Sequence, residues 1–105
     1  MPSKESDYLR ALYQNWTDRM TANPAMDLEG LRGIFEEWAG PTKEAEGVTY
    51  KSDTLAGIDA VWAIPVDADN AKVLLYTHGG GFVVGSSASH RKLAGHMAKA
   101  LGVTS

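Results

Sequence analysis

An apolar run that leads directly into three glycines constrains the fold of this chain more than any other feature. The run Val73–Tyr76 has no polar alternation, and His78-Gly79-Gly80-Gly81-Phe82 follows almost at once. Continuous apolar character predicts a strand covered on both faces, inside a mixed or parallel sheet. The sequence therefore predicts a buried strand followed by a glycine-rich loop.

A helix is predicted directly after this loop. Ser87 or Ser89 can cap a helix that extends through Leu101, with Gly102 at its C-terminal end. The last three residues, 103–105, have the character of another strand opening. The residues expected to face inward from the helix are Leu93, Ala94, Met97, Ala98 and Leu101.

The upstream part of the chain changes character once, near Gly40-Pro41. Before it, apolar spacings of three and four predict a helix over 6–21 and a second helix capped by Asp27. These helices are either a plain scaffold or a mobile cover over a binding site. We accordingly expect a helical cap segment over 1–41 and a strand-containing core over 42–105.

Strand-like alternation begins at Gly47. Two period-two stretches flank Leu55-Ala56-Gly57, which predicts an antiparallel pair closed by Pro65. The polar residues 67–70 are expected to form the next turn.

Composition excludes several classes of protein. The 105 residues carry a net charge of −3 with scattered basic side chains, so nothing predicts binding to nucleic acid or anionic lipid. No apolar run approaches the roughly 20 residues needed to span a bilayer. Cysteine is absent, which fits a reducing compartment, and a cytoplasmic protein is the default expectation. A homodimer is compatible with the sequence, and no cofactor is indicated.

Three glycines at the end of a strand have two interpretations. They form a flexible connector, or they allow backbone N–H groups to converge on a negatively charged oxygen, as acyl transfer requires. A phosphate loop fits poorly, because neither the G-x-G-x-x-G spacing nor a Lys-Ser/Thr pair is present.

The stretch from Val73 to Ser86, followed by His90 and Leu93-Ala94, resembles the oxyanion-hole segment of hormone-sensitive-lipase-like bacterial esterases. The resemblance implies the N-terminal part of an α/β-hydrolase fold: two cap helices, a strand pair, a buried strand, the oxyanion loop and a helix. In that fold the strand after this helix lies between the second and third strands. The fold is expected to be incomplete without further chain.

The family resemblance also implies roles for individual residues. The N–H groups of Gly80 and Gly81 are expected to donate to the oxyanion, with Gly79 permitting the tight turn and His78 bracing the loop through hydrogen bonds. The residues expected to border the substrate pocket are Phe82, Tyr13, Trp16 and Trp38, although core packing explains the aromatic residues better.

A member of this family needs a serine in a G-x-S-x-G elbow, then an acid and a histidine. Ser87 lies in Gly-Ser-Ser-Ala-Ser, which lacks the final glycine, and helix capping explains it better. His90 and His96 are expected to be structural or simply exposed. Neither the histidines nor Asp67 and its neighbours form a metal-binding pattern.

The sequence therefore predicts the N-terminal part of a carboxylic ester hydrolase with a small-molecule ester substrate. The triad is expected in the remainder of the hydrolase, on the same polypeptide or a second chain, and these residues alone are expected to be inactive. A non-catalytic ligand-binding protein on the same scaffold and an amide or formamide hydrolase are the alternatives.

Overall fold

The N-terminal segment consists of two helices whose boundaries follow their capping residues. A computed structural model describes all residues, Met1–Ser105. Helix α1 spans Lys4–Ala22 and is capped by Ser3, and helix α2 spans Leu28–Glu36 and is capped by Asp27, whose carboxylate accepts from the Gly30 N–H. A 3-10 turn over Glu37–Ala39 ends the segment just before Gly40. Both predicted helices and the Asp27 cap are confirmed.

Aromatic side chains attach α1 to the rest of the segment. Trp16 is buried, and its ring lies 5.3 Å from that of Trp38 and 5.6 Å from that of Phe35. Arg19 also forms a bidentate salt bridge with Glu37, and both N···O distances are 2.8 Å. The segment thus has a small aromatic core of its own.

A long hairpin follows the helical segment. Strand β1 (Val48–Leu55) pairs antiparallel with strand β2 (Ile58–Pro65), in register from Val48 opposite Pro65 to Leu55 opposite Ile58. Ala56 and Gly57 make the connection with positive φ, which suits a tight hairpin turn. The predicted antiparallel pair is confirmed.

The predicted buried strand over Val73–Tyr76 is wrong in position and in burial. Strand β3 spans Asp69–Val73 and is exposed throughout, and Leu75 beyond it is 86% exposed. Asp69 thus belongs to the strand, and the preceding turn falls at Val66 and Asp67 instead of over 67–70. One face of the apolar run is uncovered: Val73 and Leu75 are exposed, whereas Leu74 and Tyr76 are half-buried, and the Tyr76 ring lies 6.5 Å from that of His90 on the following helix.

Helix α3 spans Ser87–Leu101, and its cap differs from the expected one. The N-cap is Ser86, which forms a reciprocal capping box with Ser89, so neither Ser87 nor Ser89 is the cap itself. Gly102 ends the helix in the left-handed conformation, as predicted. Leu93 and Leu101 were expected to face inward but are exposed, whereas Ala98 is fully buried.

The last residues join the two halves of the sheet. Strand β4 (Val103–Thr104) runs parallel to β3, and Leu74 donates to the Thr104 carbonyl at 2.8 Å. On the other side, Ser105 and Ala63 exchange two backbone hydrogen bonds of 2.7 and 2.9 Å. The spatial order is therefore β1-β2-β4-β3, with the last strand between the second and third as expected. Helix α3 packs against β2. The glycine loop lies in the segment that directly precedes α3.

Candidate active site

The glycine-rich loop is a tight turn in an uncommon backbone conformation. Gly80, Gly81 and Phe82 have φ values of +134°, +62° and +61°. The N–H groups of Val83 and Val84 both donate to the Gly80 carbonyl at 3.1 Å, which closes the turn. A Cβ at Gly80 would collide with the Val84 carbonyl oxygen. Glycine is therefore required at this position by conformation and by space.

The turn is not made at Gly79. Gly79 lacks a positive φ and has open space where a side chain would extend, so the expectation that it permits the tight turn is wrong. The second crowded glycine is instead Gly85, with φ +88°, where a Cβ would lie 2.8 Å from the Gly79 carbonyl oxygen. The loop is compact because its two ends touch at Gly79 and Gly85.

Two adjacent amides in the turn have no partner. The N–H groups of Gly80 and Gly81 lie outside the strand ladders and donate to no hydrogen bond in the structure. Consecutive unpaired N–H groups in left-handed backbone form a concave surface that attracts an anionic oxygen. This pair of amides is free to donate to a further acceptor.

His78 contacts the loop directly. Its Nδ1 lies 2.8 Å from the Gly79 carbonyl oxygen, a distance at which an Nδ1–H donates a hydrogen bond. Its ring also stacks on that of His90, with centroids 5.7 Å apart. Burial, and then the charge of the neighbouring His78, lower the pKa of His90 below its usual value of 6.5. This stacked pair favours an uncharged imidazole at His90 beneath the loop.

Ser89 and His90 resemble a nucleophile and its base, but their contacts are structural. The Ser89 Oγ lies 2.8 Å from His90 Nδ1, yet Ser89 is buried, and its hydroxyl accepts from the Ser86 N–H and donates to the Ser86 carbonyl. No carboxylate is hydrogen-bonded to His90. His96 lies further along α3, and its Nε2 is 2.6 Å from the carbonyl oxygen of Lys43. The structure brings no Ser-His-Asp arrangement together within these residues.

An open cavity of about 490 Å³ lies between α2 and the loop. Phe82 borders it, with its ring fully exposed. Tyr13, Trp16 and Trp38 do not border it, because they pack on one another in the aromatic cluster of the helical segment. The lining residues are Arg32, Glu36, His78, Phe82, Val83, Val84, Gly85 and Ser86.

Two of these lining residues have no motif that would have identified them. Arg32 donates from Nε to the Val83 carbonyl at 2.7 Å, and Glu36 accepts from the Ser86 hydroxyl at 2.9 Å. Both lie about fifty positions upstream of their partners. Their spacing of four residues, which places them on one face of α2, is the only sequence signal, and it is shared by many helical pairs.

The structure contains neither a cluster of metal-binding side chains nor a helix suited to span a membrane. No group of three or more His, Asp or Glu side chains is placed to hold a metal ion. None of the helices combines the length and the apolar character needed to cross a bilayer.

The part of the chain that contains the loop, α3 and β4 matches a known family. Residues 74–105 match the family described as alpha/beta hydrolase fold. Over 83 residues the chain is 26% identical to the protein named "Putative acetyl-hydrolase LipR" of Mycobacterium tuberculosis, covering 79% of this chain and 27% of that protein.

Solved structures extend this similarity to nearly the whole chain. An esterase from the bacterial hormone-sensitive lipase family superposes on 99% of this chain and 34% of its own, with 27% identity and a TM-score of 0.83. An esterase/lipase from an uncultured bacterium is 32% identical over 75% of this chain and 26% of its own, with a TM-score of 0.67. The chain spans about a third or less of the length of these relatives.

The strand order, the loop before α3 and these matches together define part of an α/β-hydrolase fold. Within that fold, the chain is similar over nearly its whole length to an esterase of the bacterial hormone-sensitive lipase family.

Proposed function

We propose that this chain supplies the oxyanion hole of a serine carboxylesterase or lipase-type hydrolase. Gly80 and Gly81 donate their N–H groups to the substrate oxygen, while His78 supports the loop through the Gly79 carbonyl and Phe82 borders the pocket. The observation that carries the proposal is the pair of adjacent amides, unpaired and held in left-handed backbone, directly before the residues Phe82–Ser86 that line a cavity.

The chemistry follows from where charge develops. A serine hydroxyl attacks the ester carbonyl as its proton passes to a histidine, and the carbonyl oxygen becomes the anion that the two N–H groups hold. The alcohol leaves with that proton, and water then hydrolyses the acyl-enzyme by the same two steps. Removing one such donor typically lowers kcat by roughly a hundred- to a thousandfold.

The serine, acid and histidine belong, in this proposal, to residues beyond these 105. They are carried by the same polypeptide or by a second chain that completes the sheet beside β3. The small-molecule ester substrate, a homodimer and a cytoplasmic location are further parts of the proposal. The boundary between a cap segment over 1–41 and a core over 42–105 is proposed on the change from helices to strands near Gly40.

The test is ester turnover by the complete protein that carries these residues. Short-chain p-nitrophenyl esters should be hydrolysed, and a fluorophosphonate should label one serine and abolish turnover. The 105-residue chain alone should show neither reaction. A complete protein that binds short carboxylates without turnover would favour the non-catalytic binding protein, and one that cleaves anilides faster than esters would favour the amide hydrolase.

A further inference from the structure

We propose that Arg32 on α2 is a positioning residue that holds the oxyanion loop in its donor geometry. This inference rests on the proposed function and adds to it a residue from the helical segment. Arg32 acts indirectly, through the Val83 carbonyl, to which its Nε–H donates a hydrogen bond at 2.7 Å.

The loop needs support from outside because its own conformation is strained. Three consecutive residues, Gly80, Gly81 and Phe82, have positive φ, and Phe82 carries a side chain that disfavours it. Such conformations persist only where the surroundings fix them. The internal bonds to the Gly80 carbonyl close the turn, but they do not fix its orientation relative to the remainder of the molecule.

Arg32 provides the only hydrogen bond that joins residues 79–85 to another element of the structure. The other bonds of this stretch are those of Val83 and Val84 to Gly80 and that of His78 to Gly79, all of them local. The guanidinium bond to Val83 is charge-assisted, and such bonds are shorter and stronger than neutral ones. Arg32 therefore links the orientation of the loop to α2.

Glu36 strengthens this attachment one helical turn further along α2. It accepts from the hydroxyl of Ser86, the N-cap of α3, so that Arg32 and Glu36 hold the two ends of Val83–Ser86. A shift of α2 would move both contacts together. The helical segment is thus coupled to the direction in which the Gly80 and Gly81 amides point.

The test compares Arg32→Met, which removes the donor but keeps most of the side-chain length, with Arg32→Lys, which keeps a charged donor. Arg10→Met is the matched control, since Arg10 lies exposed on α1 and makes no hydrogen bond or ion pair. In the complete protein, Arg32→Met should lower kcat at least tenfold with little change in KM, because a misplaced group reduces the rate more than binding. Arg32→Lys should recover part of the loss, and Arg10→Met should match the parent protein.

A second measurement does not depend on esterase activity. Hydrogen–deuterium exchange of the peptide covering residues 79–86 should be faster in Arg32→Met than in the parent protein or in Arg10→Met. If the parent protein hydrolyses no ester, the proposed function is wrong. If hydrogen–deuterium exchange of residues 79–86 is unchanged in Arg32→Met, the positioning role of Arg32 is wrong. An unchanged kcat with a lowered Tm would make Arg32 purely structural, and a rise in KM confined to anionic esters would make it a substrate ligand. Either result overturns the positioning role.

Discussion

Individual glycines in the loop have unequal importance, because only some of them are constrained. Gly80 combines φ +134° with a backbone oxygen where a Cβ would extend, Gly81 has φ +62° in open space, and Gly79 has neither constraint. A side chain at Gly80 forces the turn to open and moves the donor amides.

We expect Gly80→Ala to lower kcat/KM of the complete protein by at least a hundredfold, the size of the loss of one oxyanion donor. Gly81→Ala should have a smaller effect, and Gly79→Ala the smallest of the three. Gly33→Ala is the control, since Gly33 lies on α2 with nothing within 4 Å. Equal losses for Gly79→Ala and Gly80→Ala would show that the turn is not made where the structure places it.

The charge of His90 is the second feature that matters at this scale. Its pKa is lowered by burial and by His78, so the folded state binds fewer protons than the unfolded state just below pH 6.5. The resulting stabilisation is complete above that pH and is lost as the pH falls through the lowered pKa of His90, which means that stability rises with pH across this window.

A titration of the imidazole resonances in the complete protein should place the pKa of His90 below 6.5. In His78→Gln it should move part of the way back, because the charge of His78 is gone while the burial is kept. An upward-shifted pKa of His90 in the parent protein would be incompatible with the stacked geometry.

The N-cap of helix α3 is a serine that the sequence pattern did not single out. Three serines lie close together at its start, and each is an acceptable cap by residue type. Ser86 is the cap because Ser89 lies three positions after it and bonds back to its N–H. The reciprocal pair decides among candidates that composition leaves equal.

Ser86→Ala should lower the free energy of unfolding by about 1 kcal/mol, the usual contribution of a serine N-cap. Ser87→Ala is the matched control, because Ser87 is exposed and its hydroxyl makes no hydrogen bond. Urea unfolding of the two variants in the complete protein compares them directly. A larger effect at Ser87 would restore it as the cap.

Elements with a local signal could be predicted from the sequence, whereas those defined by distant neighbours could not. Helix α2 follows from the Asp27 cap and its apolar spacing, and the hairpin follows from alternation around Ala56-Gly57. The run Val73–Tyr76 has the composition of a covered strand, but coverage depends on other segments, and here Leu75 is exposed. The loop glycines were found through their motif, while Arg32 was not, because its partner lies 51 positions away.

The whole molecule is flat and thinly packed. Its extents are 49 × 42 × 17 Å, and its radius of gyration is 16.0 Å. A compact domain of this length has a radius of about 13 Å. Only 9 of 105 residues are buried, and no large side chain is completely enclosed. Much of the apolar surface that would drive folding is therefore in contact with water.

Some of the most exposed apolar residues lie on the segment around the loop. Val73 is 65% exposed, Leu75 is 86% exposed and the Phe82 ring is fully exposed. Strand β3 is paired on one side only, by β4, so its other edge presents unpaired backbone groups. An open edge with apolar side chains beside it favours association with further strands.

For this reason the 105-residue chain alone should show no cooperative thermal transition as a monomer. Burial so limited cannot offset the conformational entropy of ordering this many residues, since folded domains are stable by only about 5–15 kcal/mol in the first place. Circular dichroism during heating, combined with size-exclusion chromatography, is the measurement. Leu75→Lys should raise the solubility of the isolated chain, because it interrupts the apolar edge. Lys4→Glu, at the start of α1, should leave the solubility unchanged. A sharp monomeric transition would mean that the hairpin, α3 and the aromatic cluster are enough to hold the loop in place.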